Sequence, residues 1–90
     1  MRLSINYQGR VQGVGFRFTA QEVVRRQPFP LTGWVRNEPD GSVQMELQGE
    51  PAAVEAALND LHSIMSRNIR QTDRTTIPET SNEHAFTITY

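Results

Sequence analysis

Leu3, Ile5 and Tyr7 alternate with Ser4, Asn6 and Gln8 at the start of the chain. A period of two sends successive side chains to opposite faces, so this stretch predicts a half-buried strand. Gly9-Arg10-Val11-Gln12-Gly13-Val14-Gly15 follows, a glycine-rich turn. From Phe16 the period lengthens. Phe16, Ala20, Val23, Val24 and Gln27 fall on one helical face. Pro28 and Pro30 end that helix, because proline lacks an N–H and restricts the residue before it. Leu31, Gly33 and Val35 alternate with Thr32, Trp34 and Arg36, predicting a second strand. Val43, Met45 and Leu47 alternate with polar neighbours as a third. Between them, Glu38-Pro39-Asp40-Gly41 is a tight-turn signal, so the two strands read as a hairpin. Pro51 suits the first turn of a second helix, with Val54, Ala57, Leu58, Leu61, Ile64 and Met65 as its apolar face. From Ser66 to Glu83 the apolar points are sparse. Ile69, Thr72 and Ile77 predict only a poorly buried strand around 70–77. Phe86, Ile88 and Tyr90 alternate again as a final strand.

The order β-α-β-β-α-β, with a possible extra strand, is the split β-α-β plan. It predicts an α+β, ferredoxin-like two-layer sandwich: a mainly antiparallel sheet of four or five strands with two helices on one face. Ninety residues without a linker or repeat predict a single domain spanning 1–90. That plan serves many unrelated activities, so the chemistry must come from particular residues.

Composition narrows the chemistry. There is no cysteine, which removes disulfides, thiolate metal sites and a thiol nucleophile. All nine basic residues are arginine, so Schiff-base and P-loop lysine chemistry are excluded too. The two histidines are isolated, with no carboxylates at ligand spacing, and no metal is expected. Ten acidic residues leave a net charge of −1, which argues against a nucleic-acid or acidic-membrane binder. No stretch is apolar for the roughly 18–20 residues that cross a bilayer, and the N-terminus lacks the apolar run of a signal peptide. A cytoplasmic enzyme or binding module is the class that remains.

The informative segment runs from Gly9 to Arg17. A glycine-rich turn between a strand and a helix presents successive backbone N–H groups at the helix N-terminus, where a phosphate or carboxylate is favoured. Arg17, in the first helical turn, can reach the same anion in a bidentate fashion. The plainer reading is a glycine-rich connection with a solvated arginine. The turn lacks the lysine and spacing of a nucleotide P-loop. Gly13-Val14-Gly15-Phe16-Arg17-Phe18 faintly matches an RNA-binding sheet motif, but its aromatic residues open a helix and do not lie on a strand. Asn37, at the end of the second strand, can hold a water through its donor and acceptor without ionising. It can equally be an ordinary turn asparagine. His62 is expected on the flank of the second helix, and Trp34 on the sheet face opposite Gly33 and Val35.

Taken together, Gly9 to Arg17, Gly33-Trp34-Val35-Arg36-Asn37 and Pro39-Asp40-Gly41 resemble the acylphosphatase family. The turn matches the family's G-x-V-Q-G-V-x-F-R signature at every fixed position, and the second block matches its G-W-V-x-N segment. The resemblance extends over essentially the whole chain, including the C-terminal Tyr90. One departure is Thr75, where the family usually carries an apolar residue; it implies a short or irregular fourth strand.

The resemblance implies a hydrolase acting on acid anhydrides, converting acyl phosphates to a carboxylate and inorganic phosphate. It implies that Gln12, Gly13, Val14, Gly15, Phe16 and Arg17 bind the phosphoryl group, that Arg17 and Asn37 are catalytic, and that no cofactor or metal takes part. The expected partner is a small-molecule acyl phosphate, with no nucleic acid or membrane, and the expected state is a free-standing monomer. The alternative is a non-enzymatic phosphate- or acyl-phosphate-binding module of the same fold. Nothing outside the turn is expected to select an acyl chain.

Overall fold

The computed structural model describes residues 1–90. The elements run β1 (Arg2–Gly9), α1 (Phe16–Arg25), β2 (Thr32–Asn37), β3 (Val43–Gln48), α2 (Pro51–Ile64), β4 (Ile69–Ile77) and β5 (Phe86–Ile88). They form one five-stranded sheet in the order β4-β1-β3-β2-β5. Every pairing is antiparallel except β2 with β5. This is the expected α+β, ferredoxin-like sandwich, with the fifth strand added at the β2 edge.

Alternation along the central strands sets the layers. Leu3, Ile5 and Tyr7 of β1 lie opposite Leu47, Met45 and Val43 of β3, and all six are buried. Phe16, Ala20, Val23 and Val24 of α1 and Ala53, Val54, Ala57, Leu58 and Leu61 of α2 join them in one core. Both helices therefore cover the same sheet face. Each large side chain buried there contributes about 1.5–3 kcal/mol.

Several expectations need correction. β4 is not short: at nine residues it is the longest of the five, paired with β1 from Arg2–Ile77 to Gly9–Ile69, and its one irregularity is a register shift between Gln8 and Gly9. Thr75 lies opposite Ser4 on the polar sheet face, so no apolar side chain is required there. Ile64 is not on the buried stripe of α2: it is 52% exposed, and Ala53 belongs to the stripe instead. Gln27 lies beyond the end of α1, where its amide donates to the Val23 carbonyl and to Asp60.

The polar face holds a buried charge that the alternation does not announce. Arg2 is only 2% exposed. Its Nε donates to Glu46 (2.9 Å), and its two terminal nitrogens donate to the Glu83 carboxylate at 2.8 and 3.2 Å. It also donates to Gln48 (3.0 Å) and Thr80 (3.2 Å). The guanidinium thus fastens the connection between β4 and β5 across the sheet. β5 is then fixed to β2 by Gly33 N–H to Ala85 O (3.1 Å) and Thr89 N–H to Val35 O (2.8 Å). No helix is long and apolar enough to cross a membrane.

Candidate active site

The turn between β1 and α1 is shaped by two left-handed glycines, Gly13 at φ 73° and Gly15 at φ 80°. A Cβ at either would meet nothing within 4 Å, so the backbone angle and not crowding requires glycine. Gly15 caps α1 without a side-chain bond. The first helical N–H groups consequently have no intrahelical acceptor and point outward from the helix start. Val11, 1% exposed, anchors the turn in the core. Arg10 N–H donates to the Asn68 carbonyl at 2.9 Å.

Gln12 connects the turn to the β2–β3 hairpin. Its side-chain amide donates to the carbonyls of Glu38 (2.7 Å) and Ser42 (2.9 Å). The hairpin is itself closed by Glu38 N–H to Ser42 O (2.9 Å) and by Asp40, whose carboxylate accepts from the Ser42 amide (2.9 Å) and hydroxyl (2.6 Å). Those bonds hold the Asp40 carboxyl below its ordinary range.

Arg17 is the second residue of α1 and forms no salt bridge with a carboxylate. Its guanidinium lies over the Tyr90 ring, 5.1 Å from the centroid. Asn37 ends β2 on the face that carries the buried Val35. The last register pair of the parallel strands is Val35–Ile88; two residues further along come Asn37 on one chain segment and Tyr90 on the other. These groups meet in a cleft of about 310 Å³, where Gly13, Gly15, Arg17 and Asn37 are joined by Val11, Phe16, Phe18, Ile88 and Tyr90. A larger depression of about 380 Å³ lies between the end of α1 and β5, walled by Pro28, Phe29 and Pro30. It has no glycine turn and no free helix start.

The fold therefore brings Gly13, Gly15, Phe16, Arg17 and Asn37 together. Gln12 contributes its main chain to the turn, while its side chain is turned to the hairpin. Val14 sits on the turn, 38% exposed, outside the cleft wall. The Phe16 side chain belongs to the core, and the residue also lines the inner end of the cleft. The sequence reading missed Phe18, Ile88 and Tyr90 as cleft residues. The alternation of Phe86, Ile88 and Tyr90 was the available signal for the last two. No group of three or more His, Asp and Glu side chains is placed to hold a metal.

Fold and cleft together define a two-layer sandwich with an unpaired arginine beside an amide-rich helix start. The family model for acylphosphatase matches residues 3–88, and the chain belongs to the acylphosphatase family. It is 48% identical over 59 residues to an acylphosphatase of Oceanobacillus iheyensis, a match covering 66% of this chain and 63% of that protein. It is also 48% identical over 63 residues to one of Geobacillus thermodenitrificans, covering 69% and 64%. The matched segment thus spans just under two thirds of those relatives. The crystal structure of an acylphosphatase from Bacillus subtilis superposes with a TM-score of 0.85 at 28% identity, over 99% of this chain and 98% of that one.

Proposed function

We propose that this chain is an acylphosphatase that hydrolyses the carboxyl–phosphate anhydride of a small acyl phosphate. The observation that carries the reading is the unpaired Arg17 in one cleft with the glycine turn and Asn37. The amides of residues 12–16 and the Arg17 guanidinium hold the phosphoryl oxygens, as helix starts and arginine forks favour. Asn37 orients a water for attack on phosphorus. The new P–O bond forms as the bond from phosphorus to the acyl oxygen breaks, and the acyl group leaves as a carboxylate. That leaving group is a weak base, so no general acid is needed. The proton of the attacking water passes to a phosphoryl oxygen of the substrate. Catalysis then rests on positioning and charge stabilisation. Supporting this economy, the cleft contains no histidine, aspartate or glutamate.

In this reading residues 1–90 act as one unit around a single core, in the cytoplasm, as a monomer, with no metal, nucleic acid or membrane partner. The test is turnover of an aryl acyl phosphate in EDTA by the wild type and by Arg17→Gln. Loss of one preorganised donor typically costs about 10²–10³ in rate, and a charged bidentate one costs at least that. Wild-type turnover that survives in folded Arg17→Gln would refute the role of Arg17. Phosphate binding without turnover by the wild type would move the chain to the class of binding modules.

A further inference from the structure

The cleft is two-sided. One end offers amides and a cation; the other is apolar and open. Phe18 is the third residue of α1 and is 63% exposed, a large apolar side chain outside the core. Helical side chains lean towards the N-terminus of their helix, which carries Phe18 over the glycine turn. Across from it, β5 and the two residues beyond it bring a row out of the core: Phe86 is 8% exposed, Ile88 is half-buried, and Tyr90, past the end of the strand, is 97% exposed. The Arg17 guanidinium lies over the Tyr90 ring, 5.1 Å from its centroid. At about 310 Å³ the cleft lies at the small end of ligand sites and is larger than a phosphoryl group fills.

We infer that Phe18, with Ile88 and Tyr90, forms an acyl subsite that selects acyl phosphates with a flat apolar acyl group, an aromatic one above all; this inference rests on the acyl phosphate reading above. The anion fixes one end of such a substrate at Arg17. Its acyl group then lies between the Phe18 ring and the β5 row, where aromatic pairs gain from offset or edge contacts. Arg17 is the only cation lining the cleft. Nothing outside the turn was expected to select an acyl chain; the cleft sets Phe18, Ile88 and Tyr90 beside the turn.

The test uses two phosphonates in which the carbonyl carbon is bonded directly to phosphorus, so that neither is hydrolysed: benzoylphosphonate and acetylphosphonate. Calorimetry gives the dissociation constant of each for the wild type, Phe18→Leu and Phe18→Ala. The readout is the ratio of the two constants, in which a general loosening of the cleft cancels. The wild type is expected to favour the benzoyl compound about tenfold, the low end for discrimination by an apolar contact. Phe18→Leu retains part of that ratio and Phe18→Ala brings it close to one. Equal constants in the wild type, a ratio unchanged in Phe18→Ala, or no binding of either compound overturns the inference. A wild type that shows the preference but hydrolyses no acyl phosphate supports the subsite and overturns the hydrolytic reading alone.

Discussion

The Tyr7 hydroxyl and His62 Nε2 lie 2.9 Å apart, a bond that joins the core face of β1 to α2. The rings meet edge-on, 5.4 Å between centroids and at 79°. Tyr7 is fully buried, and burial raises its phenol out of the ordinary range. The phenol stays protonated, and the imidazole tautomer sets which of the two groups donates. Burial also pushes His62 below its ordinary value, and Arg74 adds to this; Glu55, which pairs with Arg74, works against it.

A pH dependence follows from that depression. The unfolded histidine takes up its proton near 6.5, and the folded one only at lower pH. Between those values the unfolded state binds more protons, so stability rises with pH. It is complete above about pH 6.5 and declines as the pH falls towards the folded value. Urea midpoints between pH 5 and 7.5 will show this limb in the wild type and lose it in His62→Gln. An identical limb in both proteins would assign it to another group.

Asn37 separates two roles by kinetics. An asparagine that orients water acts in the transition state, so Asn37→Ala lowers kcat more than it raises KM. We expect a loss in kcat of at least about tenfold, since removing one preorganised hydrogen-bonding group typically costs about 10²–10³. An asparagine that served only the turn would shift the melting temperature and leave kcat in place.

Arg2→Ala leaves Glu46 and Glu83 facing each other across a buried gap. Charged hydrogen bonds contribute about 1.5–3 kcal/mol, and both carboxylates keep partial contact with water, so the expected loss is about 2–3 kcal/mol. Equilibrium unfolding measures it. Faster hydrogen exchange at the Thr89 amide would report the loosening of β5. The hydrogen bond from Arg2 also holds the Glu83 carboxyl below its ordinary value. That contribution is present above about pH 4.5 and is lost as pH falls through the folded value.

Gly15→Ala places a Cβ on a residue at φ 80°. The space is open, so the cost is backbone strain alone, about 1–2 kcal/mol. For a chain of this size each kcal/mol lowers the melting temperature by roughly 4–8 °C. Unchanged melting would mean that the turn relaxes to another conformation.

The hairpin, both helices and the glycine turn were legible because each carries a local signature: a period, a proline or a turn tetrapeptide. β4 was not legible. It is an edge strand held by main-chain bonds to β1, and its side chains have little core to face, so no period appears. Arg2 was hidden for the opposite reason. Its burial depends on Glu83 and Thr80, some eighty residues away. Arg17 and Asn37 were legible as residue types beside a turn and a strand end. Phe18 and Tyr90 were not, because each reads locally as a helix or strand residue and only the fold sets them around one cleft.

The two bonds of Gln12 have a thermodynamic consequence. Fixing a residue's backbone costs about 1–2 kcal/mol of conformational entropy, and a turn that orders only around its ligand must find that energy in binding. Here the turn is already tied to the Glu38 and Ser42 carbonyls by its own chain. On the proposed reading this tie is made before an anion arrives, so less of the attraction of the amides and guanidinium is spent on ordering the turn.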